Sequence, residues 1–545
     1  MDVCTIIAKN YAPYARVLAR SHALHHPGSK CYTLVIDETE GFIDPAEEPF
    51  ELVTIPQIGI ERYDRMAALY NVLELSTAVK PWLMKHLLGE RGRERVAYLD
   101  PDIRIFDPLT EVESLLRENQ LVVTPHATEP MPRDGRKPSE VEILSSGVYN
   151  LGFIGMARGA ETDHLLAWWA ERLERDCVID PERGFFVDQR WIDFAPGLVD
   201  SFHVLRDPGY NVAYWNLASR ELRRRGERWE VNGRPLRFFH FSGFKPDRRD
   251  KLSTHQNRIQ IEPRSALAQI CDEYADELVA CGYESASRWP YSYAALPNGI
   301  EMDSRVRAVY REATARGELP EPVFEPEGAA ALLEHLNGPA EKGGQSGVTR
   351  YLHALYEQDD DLQVQFPDLR GVDAAHLVGW ANTDAGAGIP QALLPSNRAG
   401  MTGPRAGVNL AGYFRSVLGV GEVARGLVDA LEAQNVAVAP VGLVAGHSGQ
   451  EESDVVERGP SYATFPINLV CVNADALSGF VDRMGPDFFG GRHTIGYWWW
   501  EVEEFPERLH EAFEHVDEVW AGTRHVAETL AAVSPVPVVQ LTPPV

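Results

Sequence analysis

Short apolar runs alternate with helix-period segments along the first 260 or so residues. Val3–Ala8 is an unbroken, mostly apolar run, which predicts a strand buried on both faces. Tyr14–His25 follows with Val17, Leu18 and Leu24 at helical spacing. Cys31–Asp37, Glu51–Ile55 and Arg95–Leu99 read as further strands, and Leu121–Val123, Leu151–Ile154 and Leu236–Phe241 as three more. Strands and helices in alternation predict a parallel or mostly parallel sheet covered by helices.

From about 261 to 400 the pattern turns helical: Ala266–Cys281, Ser304–Arg316, Ala329–Leu336 and Thr349–Glu357, with a flexible patch at Glu341–Gly347. A second α/β pattern begins near Gly407. Gly407–Gly412 reads as a strand entering a glycine turn, and Gly419–Gly421 opens a helix to about Ala433. Val436–Val444, Ile467–Asn473, His493–Trp498, Val516–Ala521 and Val536–Leu541 read as successive strands. The expected division is 1–260, an α/β domain; 261–400, a helical connector; and 401–545, a single Rossmann-like half.

Composition narrows the function. Of 545 residues, 80 are acidic and 52 are Lys or Arg, a net charge of −28. That disfavours a general nucleic-acid binder, which needs a basic stripe to displace phosphate counterions, and broad binding to anionic membranes. The six cysteines form neither a CxxC pair nor a Cys/His cluster, so buried, reduced thiols are expected. No run of about 18 apolar residues occurs, so no transmembrane segment is expected. The start carries no basic, signal-like leader, and a cytoplasmic protein is expected.

The sharpest chemical signal is Tyr98-Leu99-Asp100-Pro101-Asp102, a strand delivering two carboxylates at its C-terminal end. Such a pair suits Mg²⁺ or Mn²⁺, and equally makes a solvated acidic turn. His240 lies between Phe239 and Phe241, the pattern of a ligand or of a packed core histidine. Asn150 before Gly152 could shape a turn, and Asp188 could cap a following helix. The loop Pro208–Asn216 is aromatic and polar, and reads as an acceptor wall or as plain packing; Arg223–Arg225 reads as a solvated helix end.

In order along about 1–250, five segments resemble the family 8 retaining glycosyltransferases, the glycogenin-like and bacterial galactosyltransferase group with a GT-A fold: Ala8–Ala12, Tyr98–Asp102, Tyr149–Phe153, Val187–Gln189 and His240–Pro246. The resemblance implies a metal-dependent transferase, using Mn²⁺ or Mg²⁺ and a UDP-sugar-type donor, that retains anomeric configuration. It implies Asp100, Asp102 and His240 as metal ligands, and Asp188 and Asn150 beside the transferred sugar. Ala8, Asn10, Tyr11, Gly152, Gln189, Gly243 and Lys245 would line the donor pocket, with Lys80 a second phosphate contact. An Asp is usual in that family where Ala8 stands, and another where Arg190 stands.

Gly412–Glu422, Tyr497–Glu501 and Glu518–Thr523 resemble the N-terminal half of family 4 glycosyltransferases with a GT-B fold, over about 406–545. The combined expectation is an α/β fold: a GT-A-like, Rossmann-type mixed sheet, a helical connector and one Rossmann-like half. The expected activity is sugar transfer from a nucleotide-sugar to a glycan or glycoconjugate acceptor in bacterial glycan synthesis. A homo-oligomer is left open. A sugar nucleotidyltransferase would carry a glycine-rich basic loop after the first strand, and Ala8–Tyr14 has none. A non-catalytic nucleotide-sugar- or glycan-binding scaffold stays open.

Overall fold

A computed structural model describes residues 1–319, 322–340, 347–369, 373–383, 388–395, 407–416, 419–434, 436–443 and 465–544. The chain forms two compact units, Met1–Gly338 and Pro339–Val545. The helices expected in one connector are therefore divided between the units. All of the expected flexible patch except Gly347 falls outside the described residues.

The first unit is built on a seven-stranded mixed sheet. Its strands are β1 (Asp2–Ile7), β2 (Cys31–Val35), β3 (Glu51–Thr54), β4 (Arg95–Leu99), β6 (Leu121–Pro125), β7 (Tyr149–Ala157) and the edge strand Phe202–Val204. A short strand outside it, β5 (Ile103–Ile105), continues directly from the turn after β4. The spatial order is β3-β2-β1-β4-β7-β6 and then Phe202–Val204. Only β7 runs antiparallel to its neighbours. β1 lies between β2 and β4, and its residues from Val3 to Ile7 are buried, as the unbroken run predicts.

The helix α1 (Ala12–His25) starts with Pro13 in its first turn, where a missing N–H costs nothing. It buries Tyr14, Ala15, Val17, Leu18 and Ala19, each large apolar side chain contributing roughly 1.5–3 kcal/mol. Helix Ala266–Ala280, capped by the Ser265 hydroxyl accepting the Ala268 N–H, packs Cys271, Tyr274 and Leu278 into the same core as Tyr14 and Val17. Helix Ser304–Arg316 docks through Arg307, which is 3% exposed and donates to the Ala67 and Ala68 carbonyls at 2.7 and 3.0 Å. Those carbonyls belong to the last turn of helix Tyr63–Leu69, where a cation is favoured.

The arginine run Arg223–Arg225 is not a helix end. It lies in strand Leu222–Arg225, paired antiparallel with Arg228–Val231, and its three side chains are exposed. Alternation sorts this hairpin: Trp229 and Val231 point into the core, Arg223 and Arg225 face the other way, and Arg224, opposite Trp229, covers its ring at 5.3 Å and pairs with Glu273 at 2.6 Å.

The second unit carries a six-stranded, all-parallel sheet. Its order is Ala437–Gly442, Gly407–Gly412, Ile467–Val470, His493–Trp498, Glu518–Ala521 and Val538–Gln540. Helices Gly419–Ala433, Ala474–Met484 and Arg524–Ala531 connect the strands.

Candidate active site

The site is assembled where β4 ends. Asp100 donates its N–H to the Gly152 carbonyl of β7 at 2.8 Å, and Ile103 donates back to the Asp100 carbonyl at 3.1 Å. This turn interrupts strand alternation, so the two carboxylates need not point to opposite faces. β5 then pairs antiparallel with strand Phe238–His240, setting His240 opposite Ile103, and the Phe241 N–H reaches the Asp102 carbonyl at 2.9 Å.

Alternation in that last strand separates structure from chemistry. Phe239 and Phe241 turn to the helix side, where Phe241 stacks on Tyr274 at 3.8 Å between centroids. His240 turns the other way and sets Nε2 at 3.0 Å from Asp102 and 3.6 Å from Asp100. Asp100, Asp102 and His240 offer ligand atoms all within 4.8 Å of one another. Burial pulls the His240 pKa down, but Asp102 and Asp100 more than offset this and raise it. Gly152 makes the approach feasible: a Cβ there would lie 2.3 Å from His240 Cε1.

Beside this cluster lies a buried ion pair. Lys80 Nζ is 2.6 Å from Asp188 Oδ2, with side chains 1% and 2% exposed. The ammonium also donates to the Leu151 carbonyl at 2.9 Å and sits 4.1 Å from the Tyr98 ring centroid. The Tyr98 hydroxyl in turn donates to Asp100 at 2.7 Å. Burial raises the Asp188 carboxyl above the usual range, with Lys80 opposing it. Lys80, expected as a second phosphate contact, pairs here with Asp188. Asp188 precedes a 3-10 helix and makes no capping bond with its side chain. Val187 before it adopts φ +42°, strained for a β-branched residue, where the chain swings the carboxylate inward.

Gln189 is buried: its Oε1 accepts the Leu151 N–H at 3.0 Å and its Nε2 donates to the Ser146 carbonyl at 2.8 Å, tying β7 to the end of the preceding helix Glu140–Ser146. Arg190 pairs with Asp193, and both line a cavity of about 340 Å³ with Phe185, Trp191 and Phe194.

At the end of β1, Ala8 is buried and Asn10 Oδ1 is a buried acceptor with no hydrogen-bond partner. Tyr11 stacks on Tyr14 at 4.8 Å, and Lys245 Nζ lies 5.9 Å from the Tyr11 centroid. Burial pushes the Tyr11 phenol up to about 12, with Asp102 adding to it. Gly243, at φ +71°, forms the turn that carries Lys245; a Cβ there would meet His255 and Ser253 at 2.7 Å. Lys9, next to Ala8, donates to Ser292 Oγ at 2.7 Å and pairs with Asp37 at 3.3 Å.

The loop expected as an acceptor wall is largely packing: Tyr210, Asn211, Trp215 and Asn216 are each at most 4% exposed. Sequence reasoning missed Asn211, Thr124 and His126, which surround Asn150 and His240. No spacing signals them, since Asn211 meets Asn150 across 61 residues.

No family model matches the chain. The uncharacterized proteins YfnF and YfnD of Bacillus subtilis (strain 168) are each 25% identical to it, over 255 and 248 residues. Each alignment covers 44% of this chain, and 81% of YfnF or 76% of YfnD. Among solved structures it is similar to the galactosyltransferase LgtC in complex with donor and acceptor sugar analogs, at TM-score 0.32 and 15% identity, covering 51% of this chain and 96% of that one. It is also similar to the glycosyltransferase GlyE of Streptococcus pneumoniae TIGR4, at TM-score 0.31 and 11% identity over 99% of this chain and 90% of that one. Among the described residues, no helix is long and apolar enough to cross a membrane.

Proposed function

We propose that the first unit is a metal-dependent glycosyltransferase that moves a sugar from a nucleotide-sugar, of the UDP-sugar type, to a glycan or glycoconjugate acceptor with retention of configuration. The observation that carries this reading is the convergence of Asp100, Asp102 and His240 at the end of β4, beside the buried Asp188–Lys80 pair. Two carboxylates and an imidazole at this spacing fit Mn²⁺ or Mg²⁺, with Asp100 and Asp102 as oxygen ligands and His240 as the nitrogen ligand. When bound, such a cation offsets the negative charge that grows on a leaving diphosphate.

The chain's own groups do the remaining work in this reading. Lys245 supplies a second positive charge to the diphosphate. Tyr11 presents a ring face to the nucleotide, and Asn10 Oδ1, an unpaired buried acceptor, takes a hydrogen bond from it. Asp188 favours the positive charge that develops on the sugar ring, and Lys80 keeps that carboxylate ionised and aimed. The second unit would serve the acceptor. A thermal-shift series with UDP-sugars and Mn²⁺ or Mg²⁺ tests donor binding, because a ligand of the folded state raises the midpoint by mass action. Transfer assays with EDTA follow. No midpoint rise with any nucleotide-sugar, or full transfer in EDTA, overturns the reading.

A further inference from the structure

The geometry points to Asn211 as a positioning residue that holds His240 by Nδ1 and so presents Nε2 to the metal; the inference rests on the metal-dependent reading above. The argument needs only donor and acceptor identities. A backbone N–H can only donate, so the Asn150 atom 3.2 Å from the Gly152 N–H is the amide oxygen. A backbone carbonyl can only accept, so His126 Nδ1, 3.4 Å from the Val148 carbonyl, carries the proton. His126 Nε2 is then an acceptor, and the Asn150 atom 3.3 Å from it is the amide nitrogen. Two independent backbone groups thus impose the same orientation on Asn150.

Asn150 passes that orientation on. Its Oδ1 receives Asn211 Nδ2 at 2.9 Å, and Asn211 Nδ2 also donates to Thr124 Oγ1 at 2.8 Å. The other end of the Asn211 amide is therefore the oxygen, and it lies 3.3 Å from His240 Nδ1. An oxygen there requires Nδ1–H. With Nδ1 held by Asn211, Nε2 is the ring nitrogen that turns to Asp102 and Asp100, where a metal would sit. Asn211 is 1% exposed and holds φ +50°, a region asparagine enters more readily than most residues. It follows that Asn150 acts on His240 rather than on a sugar hydroxyl: both lone pairs of Oδ1 are taken by Gly152 and Asn211, and Nδ2 faces His126 and Gln189 Oε1.

Groups that orient a metal-bound imidazole are commonly worth ten- to a hundredfold in metal affinity. The test uses the full chain and the variant Asn211→Gly, which removes the side chain and keeps the backbone conformation accessible. Mn²⁺ titration followed by the electron-spin-resonance signal of the free ion should show at least about tenfold weaker binding in Asn211→Gly. Equal affinity in both proteins overturns the inference. Nitrogen-15 spectra of histidine-labelled wild-type chain saturated with Mg²⁺ should show His240 protonated on Nδ1, and His240→Gln identifies the resonance. An unprotonated Nδ1 there overturns the inference even if Asn211→Gly fails to fold. Absence of Mn²⁺ binding by the wild type overturns the metal reading and the inference with it, whereas equal binding by both proteins overturns the inference alone.

Discussion

The two units place different chemistry on similar scaffolds. In both a ring presses on a glycine that could not carry a side chain. In the first unit the ring is His240 over Gly152, and two carboxylates stand next to it. In the second the ring is Trp499 over Gly522, where a Cβ would lie 2.1 Å from the indole. Among the described residues of the second unit, no three His, Cys, Asp or Glu side chains converge as they do at Asp100, Asp102 and His240. The comparison teaches that the layered α/β architecture supplies an edge, and the side chains on that edge supply the function. The antiparallel β7 matters here: it brings Gly152 beside Asp100, an arrangement the all-parallel sheet does not have.

The largest expected effect breaks the first edge alone. Asp102→Ala should lower sugar transfer by at least about a thousandfold, the order of four kcal/mol of barrier. Its unfolding midpoint should stay near wild type, because Asp102 lies outside the core. A kinetic assay beside a melting curve checks both. Asp188→Asn comes next. Removing the charge leaves the Lys80 ammonium buried and unpaired, which costs about 3–5 kcal/mol, and turnover should fall about a hundredfold. A helix cap would give only about 0.5–2 kcal/mol and near-normal turnover.

Matched substitutions sharpen the contrast between the edges. Gly152→Ala should push His240 aside and weaken Mn²⁺ binding by about tenfold or more. Gly522→Ala should cost the second unit about 1–3 kcal/mol by overpacking against Trp499, while Mn²⁺ affinity stays as in the wild type. Calorimetric metal titration of both variants reads the difference. A chain ending at Gly338 should keep nucleotide-sugar affinity within about threefold, a change under about 1 kcal/mol. Loss of binding in that folded truncation would assign part of the donor pocket to the second unit.

A pH dependence of the first unit is the remaining expectation. Burial lowers the pKa of both His26 and His126 to about 4, and each ring accepts a hydrogen bond through Nε2. A histidine with a lowered folded pKa binds its proton more readily when unfolded. Stability is therefore complete above the ordinary value near 6.5 and declines as pH falls from there toward 4. Urea midpoints measured between pH 7 and 4 should drop, and His26→Gln should flatten part of the slope.

The sequence by itself determined the main strands of the two sheets, though not the hairpin at Leu222–Arg225 or the division of the connector. β1, β2, β4 and α1 are legible because apolar period and β-branching are local properties, and Arg95–Leu99 was delimited to the residue. It also determined the Asp100–Asp102 pair, whose spacing is local too. Only the tertiary structure decided what those residues face. His240 reads as core or ligand until the pairing of β5 with Phe238–His240 turns it toward Asp102. Lys80 and Asp188 are 108 residues apart along the sequence, and only the fold makes them a buried pair. Asn211 reads as part of an aromatic-polar loop, acceptor wall or packing, and its role depends on hydrogen bonds to Thr124, Asn150 and His240 from three separate segments. The physical reason is one of range: hydrophobic period acts between near neighbours in sequence, whereas a charge pair or a hydrogen-bond direction is fixed by whatever the completed core brings within about 3 Å.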